Sequence, residues 1–299
     1  MGTDSTAFFG KIMLFGEYSV ILGSKALVMP LKQFSGSWSW QKCSLPDEME
    51  MREALLEYAV FLNSEDFAKE LVDTVKLLND VRKGLWFKTN IPQGYGAGSS
   101  GALVAAIFSG YAFKKQYSPE QLKTALGLLE GYFHGSSSGI DPLCCYYREA
   151  VLIGQDNKVA LPGQFDSDLP FNIYLFDSKS IGMTAPLVDF FRNRMEDYSF
   201  YKKVKTTWIP SVNAAIDQFL TGNKAAFDAT LRVLSVFERE NLPLMIPESA
   251  AKKWDRGLET GHYTMKLCGS GGGGFFLVFS ERNADLSRHF ELDRLIRLI

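Results

Sequence analysis

Lys11, Glu17, Glu130 and Asp141 are the charged residues whose settings suggest chemistry, and Ile91-Pro92-Gln93-Gly94-Tyr95-Gly96-Ala97-Gly98-Ser99-Ser100-Gly101-Ala102 lies between them. The glycines of this stretch let a backbone approach an anion closely. The first turn of a following helix would aim free N–H groups and a positive dipole end at the same place. The stretch reads as a phosphate cradle, with the hydroxyls of Ser99 and Ser100 beside it. Mg²⁺ takes oxygen ligands, commonly one or two protein groups completed by substrate phosphates and water, so a serine hydroxyl and Glu130 would suffice. Phosphoryl transfer also needs charge neutralisation and a group that receives or orients the acceptor's proton. Asp141 and Lys11 have that chemistry, and a nucleotide-using enzyme is the expectation.

Each of these residues also has an ordinary reading. Lys11 and Glu17 interrupt an apolar segment, and burying them without partners would be costly, so strand ends in solvent are the plain alternative to a site. Glu130 falls at the edge of a helix's packed face, where a solvated carboxylate is common. His134-Gly135-Ser136-Ser137-Ser138-Gly139-Ile140-Asp141-Pro142 has the composition of a connecting loop. It follows the Glu130 helix directly, which makes Glu130 and Asp141 candidates for a shared site.

The elements that must hold these groups are legible in outline. Ile12 and Leu14, then Val20 to Leu22, then Ala26 to Leu31 suggest strands joined by turns. Asp47 to Asn63 and Ser64 to Lys83 read as core helices, the second through Phe67, Leu71, Val75 and Leu78, with Ser64 as cap. Leu85 to Ile91 alternates as a strand leading into the glycine stretch, and a helix follows from Ser99 to about Lys115. Ser118-Pro119-Glu120-Gln121 is an N-cap, a first-turn proline and a capping-box partner for a helix running to about Phe133. Strands are expected at Val151 to Ile153 and Asn172 to Phe176. Helices are expected at Leu187 to Lys205, Trp208 to Leu220, Ala225 to Glu240 and Ser249 to Thr260. The run Gly269-Ser270-Gly271-Gly272-Gly273-Gly274 sits between strands at Tyr263 to Leu267 and Phe275 to Phe279. No repeat or low-complexity linker marks a boundary, and two domains, 1–160 and 161–299, are expected.

Composition narrows the classes. With 299 residues, 46% hydrophobic and 13% aromatic, the chain can bury two packed lobes. A net charge of −2 offers no basic field for nucleic acid and no polybasic segment for an anionic membrane. Cys43, Cys144, Cys145 and Cys268 show no CxxC spacing and no disulfide framework. The first residues lack a charged segment followed by an apolar one, so a cytoplasmic protein without membrane partners is expected. Both glycine runs satisfy GxGxxG formally. The first lacks the second strand and acidic residue about twenty positions on, and the second does not open a helix, so a dinucleotide fold fails. A Walker A loop fails because no Gly-Lys-Ser/Thr follows, and the HRD and DFG signatures of protein kinases are absent.

Three segments in this order resemble the signatures of the GHMP kinase superfamily: Gly10-Lys11-Ile12-Met13-Leu14-Phe15-Gly16-Glu17-Tyr18, Pro92 to Ala102, and Lys266-Leu267-Cys268 with Gly269 to Gly274. An acid eleven residues before the aspartate of HGSSSGID adds the form found in its mevalonate kinase branch. The resemblance implies an α+β, two-lobed fold, with an N-terminal lobe like ribosomal protein S5 domain 2 and a ferredoxin-like C-terminal lobe. It implies ATP- and Mg²⁺-dependent phosphorylation of a small-molecule alcohol, first of all the 5-hydroxyl of mevalonate, by a monomer or homodimer. Phosphomevalonate kinase and a sugar kinase are the alternatives within the superfamily. A non-catalytic ligand-binding member would be expected to lack the acid or the lysine, and all three of Lys11, Glu130 and Asp141 are present.

By position, Asp141 would act as base or orienter and Lys11 would stabilise the acceptor oxygen. Gly94, Gly96, Ala97, Gly98, Ser99, Ser100 and Gly101 would bind ATP, with Ser100 and Glu130 on Mg²⁺. Glu17, Tyr18, His134, Thr184 and Gly271 would lie toward the acceptor substrate. This chain departs from the pattern at Phe9 (usually Pro), Tyr18 (commonly His in mevalonate kinases) and Gly101 (usually Ala). No basic residue stands beside Thr184.

Overall fold

The computed structural model describes residues 6–163, 165, 169–182 and 184–299, the side chains of residues 184 and 185 lying outside the described set. Strands β1 (Phe8–Phe15) and β2 (Ala26–Ser39) open the chain. Between them Val20–Leu22, expected as a strand, is a 3-10 turn that ends on Gly23 at φ +92°. Its bonds are local: Val20 N–H donates to Gly16 O, and Ser24 Oγ donates to Ser19 Oγ at 2.7 Å. An apolar triplet carries no information about such closure.

Helix α1 (Pro46–Ser64) follows, and the second expected helix is two, α2 (Asp66–Leu71) and α3 (Thr74–Arg82). Val72 is extended and bridges to Ala112, and Asp73, not Ser64, provides the cap, accepting from Lys76 N–H at 2.9 Å. The restart turns α3 so that Leu77, Leu78 and Val81 are buried while Val75 is exposed. A long-range bridge thus overrides a helical periodicity that looked continuous.

The chain continues through β3 (Trp86–Thr89), α4 (Ser99–Tyr111), α5 (Pro119–His134), α6 (Ile140–Tyr147), β4 (Val151–Ile153), β5 (Val159–Ala160) and β6 (Phe171–Asp177). Helices α7 (Thr184–Met195) and α8 (Tyr198–Lys203) lead by a π-helical turn, Val204–Trp208, into α9 (Ile209–Thr221). Then come α10 (Lys224–Asn241), α11 (Glu248–Thr260), β7 (Tyr263–Leu267), β8 (Phe275–Glu281) and β9 (Leu295–Arg297). Ser118 caps α5 through Gln121 N–H, with the capping box complete as its sequence indicates.

Among the described residues, one sheet has the order β1-β2-β4-β5 with β3 on β2, and the other has the order β7-β8-β6-β9. The β2·β3 and β4·β5 pairs and every pair of the second sheet are antiparallel. β8 is an inner strand, and its run Phe275 to Ser280 is buried throughout. No described helix is long and apolar enough to cross a membrane.

Contacts divide the chain into two compact units. The first is Met1–Lys11, Met29–Gln93 and Ala97–Val151, and the second is Ile12–Val28, Gly94–Gly96 and Leu152–Ile299. The units change after Val151, and two short segments from the N-terminal half, Ile12–Val28 and Gly94–Gly96, cluster with the second unit. The core of the first unit is built around α4, buried on nearly every side through Ala102, Val104, Ala105, Ala106, Ile107 and Phe108. Fully burying Val104 or Ile107 contributes about 1.5–3 kcal/mol each. The second unit packs Phe15, Phe171, Phe219, Phe227 and Phe279 as one aromatic cluster.

Candidate active site

In the first unit the candidate residues converge on the start of α4. Gly98 is its N-cap at φ +79°, and a Cβ there would lie 2.6 Å from Lys11 Cγ, so only glycine leaves room for the lysine. Ala102 N–H is bonded back to Gly98 O at 2.9 Å, while the N–H groups of Ser99, Ser100 and Gly101 precede the helical ladder. Together with the dipole these make the helix start a place for an anion. Ala97 is buried, and its carbonyl accepts from Lys11 N–H at 2.8 Å, fixing β1 beside the glycine stretch.

Lys11 Nζ meets Asp141 Oδ2 at 2.7 Å, the lysine side chain 5% exposed and the aspartate 32%. Burial pulls the ammonium's pKa down. The charge and hydrogen bond of Asp141, with the nearby Glu130, outweigh that and hold it above the ordinary lysine value. The solvent reading of Lys11 is therefore corrected: its cost of burial is offset by a partner distant in sequence.

Glu130 is corrected in the same way, being 2% exposed. Its Oε1 accepts from Ser100 Oγ at 2.9 Å and its Oε2 from Ser137 Oγ at 2.5 Å. Burial, then the charge of Asp141, raises its pKa to about 7, against the pull of the two hydroxyls and Lys11. His134 Nε2 lies 3.1 Å from Ser100 Oγ, and burial holds the imidazole below its usual pKa. Ser100 has one proton, which goes to Glu130, so His134 protonated on Nε2 completes the set.

The HGSSSGID loop delivers two of these groups because it lies directly on α5. At Gly139, φ +73°, a Cβ would fall 1.9 Å from Lys123 O. This close approach brings Ser137 to Glu130 and places Asp141 in the first turn of α6. Gly101 is buried against the same turn, where a Cβ would stand 3.1 Å from the Asp141 carbonyl carbon and from Pro142 N.

The second unit holds the other sequence candidates. Glu17, against its solvent reading, is buried and accepts from Lys266 Nζ at 2.7 Å, both side chains being at most 2% exposed. Tyr18, at φ +56°, donates its hydroxyl to Ser270 O at 2.7 Å and packs on Phe191 with ring centroids 4.8 Å apart. Gly94 and Gly96 are exposed. Gly94 O accepts from Gly182 N–H at 3.2 Å, and Cys268 O lies 3.1 Å from where a Gly96 Cβ would be. Gly271 sits where a Cβ would be 2.6 Å from Met245 O, which accepts from Gly272 N–H at 2.7 Å. The side chain of Thr184 lies outside the described residues.

Three polar residues of these clusters carry no sign of a role in the sequence alone. Ser137 was one hydroxyl among three in a loop. Lys266 stood in the third signature without a function. Glu238 continues the apolar spacing Phe227, Leu231, Leu234 on α10, and an acid on that buried face was the signal that could have found it.

Among the described residues no group of three or more His, Cys, Asp or Glu is placed to hold a metal. The Ser100, Ser137 and Glu130 oxygens nevertheless suit Mg²⁺, which takes oxygen donors and draws its remaining ligands from phosphates and water. A buried carboxylate whose pKa is raised by burial is also one that a cation would stabilise.

Residues 66–149 match the family description GHMP kinases N terminal domain, the segment that carries Gly94 to Gly101, Glu130 and Asp141. Over that segment the chain is similar to the N-terminal domain of the GHMP kinases. A mevalonate kinase of Archaeoglobus fulgidus is 26% identical over 168 residues, 52% of this chain and 55% of that protein, so the match spans about half the relative's length. The crystal structure of L. major mevalonate kinase in complex with R-mevalonate aligns with a TM-score of 0.66 at 16% identity, over 99% of this chain and 95% of that one. Streptococcus pneumoniae phosphomevalonate kinase aligns equally well, with a TM-score of 0.66 at 14% identity over 99% and 98%. At such identities these likenesses establish the fold, an α+β protein with two antiparallel sheets, which this chain shares over nearly its whole length.

Proposed function

We propose that this protein is a GHMP-type kinase that transfers the γ-phosphoryl group of ATP to the hydroxyl of a small alcohol, and that the alcohol is mevalonate. One observation carries the reading: the Lys11–Asp141 pair at 2.7 Å stands beside the Ser100–Glu130 pair at 2.9 Å at the start of α4. That combination supplies the parts phosphoryl transfer requires.

The stretch from Gly94 to Gly101 binds the triphosphate, with the first N–H groups of α4 donating to its oxygens. Ser100 and Glu130 would hold Mg²⁺, which when bound neutralises charge on the phosphates. Asp141, one oxygen held by Lys11, uses the other to receive or orient the proton of the acceptor hydroxyl. Lys11 stays charged and lowers the energy of negative charge growing on that oxygen. Neutral His134 keeps the Ser100 hydroxyl directed at Glu130.

Mevalonate is favoured by the name of the Archaeoglobus fulgidus relative and by the form of the loop His134 to Asp141. Phosphomevalonate is the second reading, favoured by Gly16-Glu17-Tyr18, where mevalonate kinases commonly place histidine after the glutamate. A coupled ADP-release assay across mevalonate, phosphomevalonate, homoserine and galactose tests both. Mevalonate is expected to give the highest kcat/KM, a preference for phosphomevalonate would replace the first reading, and release with none would refute both.

A further inference from the structure

We propose that Glu238 and Lys266 are positioning residues: in the second unit, a sealed ion network at the foot of the Gly269–Gly274 loop sets that loop against residues 94–96 and thereby the affinity for nucleotide phosphates. The last clause rests on the function proposed above, and the placement of the loop does not.

The network joins three segments of the second unit. Lys266 Nζ, near the end of β7, donates to Glu17 Oε1 at 2.7 Å and to Leu267 O, and lies 5.3 Å from the centre of the Phe15 ring. The next backbone N–H, of Leu267, donates to Glu238 Oε2 at 2.8 Å, and Glu238 comes from α10. Cys268 Sγ then donates to Phe275 O at 2.9 Å, closing the loop's base. Glu17 is followed by Tyr18, whose hydroxyl holds Ser270 O at 2.7 Å. The loop is thus gripped at its foot by Lys266 and Glu238 and along its length by the residue after Glu17.

Little slack separates this loop from residues 94–96. A Cβ on Gly274 would stand 2.5 Å from Tyr95 Cα, and the Tyr95 and Phe275 rings are 5.0 Å apart between centroids. Gly182, whose N–H donates to Gly94 O at 3.2 Å, would bring a Cβ within 2.7 Å of Gly271 O. A shift of the loop by a fraction of an ångström must therefore move residues 94–96 with it.

Buried ions are a poor choice for stability alone, because desolvation offsets their attraction and apolar side chains of similar volume often hold a core as well or better. Directed bonds to a strand end do what apolar packing cannot, which is to fix one register. The groups facing Glu238 are Lys266, Glu17, Trp208 and the Leu267 N–H. Burial, with the charge of Glu17, raises its carboxyl to about 8 against the pull of Lys266.

The test compares wild type, Glu238→Gln and Glu238→Leu by amide hydrogen exchange of residues 94–96 and 268–274 without nucleotide, and by KM for ATP against kcat. Leucine is expected to speed exchange in both segments about tenfold or more and to raise KM for ATP with a smaller change in kcat. Glutamine, which keeps the acceptor for Leu267 N–H, restores both. Unchanged exchange with leucine, or glutamine as disruptive as leucine, overturns the proposal. If wild type turns over no ATP, the proposed function fails while the exchange data still decide the loop's placement. Should the leucine variant not fold, wild type and Glu238→Gln are compared at pH 7 and pH 9 after correction for intrinsic exchange. Faster loop exchange at pH 9 in wild type alone supports the proposal, and equal behaviour of the two overturns it.

Discussion

The first unit gathers Lys11, Asp141 and Glu130, and the second gathers Lys266, Glu17 and Glu238: each has one ammonium between two carboxyl groups. In both, the lysine bonds one acid at 2.7 Å and burial raises the other acid's pKa. They differ in access. Asp141 keeps 32% of its side chain exposed beside the open start of α4, whereas in the second cluster Glu17 and Lys266 are at most 2% exposed and Glu238 is buried. The same set of groups can exchange protons with a ligand where one acid reaches solvent, and can only hold backbone in place where none does.

The largest effect separating the two clusters is expected at Asp141. Asp141→Ala should reduce turnover by roughly 10²- to 10⁴-fold while ATP still binds, as read by steady-state ADP release and nucleotide titration. An equal loss of kcat in Glu238→Gln would erase the distinction. Next comes Glu130→Gln, which should raise the Mg²⁺ concentration needed for half-maximal rate by at least about tenfold. The same half-saturation in variant and wild type would remove Glu130 from the metal assignment.

A moderate effect is expected in the pH dependence of stability. Glu238 has an unfolded pKa near the ordinary glutamate value, about 4.3, and a folded value raised to about 8. The folded state therefore binds the extra proton. The stability this contributes is complete below the unfolded value and is lost as pH rises toward 8. Melting temperatures of wild type should fall across that window relative to Glu238→Gln, and parallel curves would show that Glu238 is charged throughout. The smallest effect is expected at Gly101→Ala. Its Cβ would press on the Asp141 carbonyl carbon from 3.1 Å, while alanine improves the helix by up to about 1 kcal/mol. A melting temperature within a few degrees of wild type with a several-fold lower kcat is the outcome expected, and an unchanged kcat would show that α6 yields at no cost to Asp141.

Much of this was legible from local chemistry. The Ser118 capping box, the strand entering the glycine stretch, and the helix opening at Ser99 depend on residues a few positions apart, and they stand where spacing and composition put them. The order of three glycine and lysine signatures carried the resemblance to GHMP kinases for the same reason: closeness to phosphate demands those residue types wherever the chain goes. The split of α2 from α3, the burial of Lys11, Glu17 and Glu130, and the role of Glu238 depend on partners remote in the chain. A buried charge and a solvated one look alike in sequence, because the difference lies in what folding brings alongside: Asp141 for Lys11, Ser100 and Ser137 for Glu130, Lys266 for Glu17, and the Leu267 N–H for Glu238.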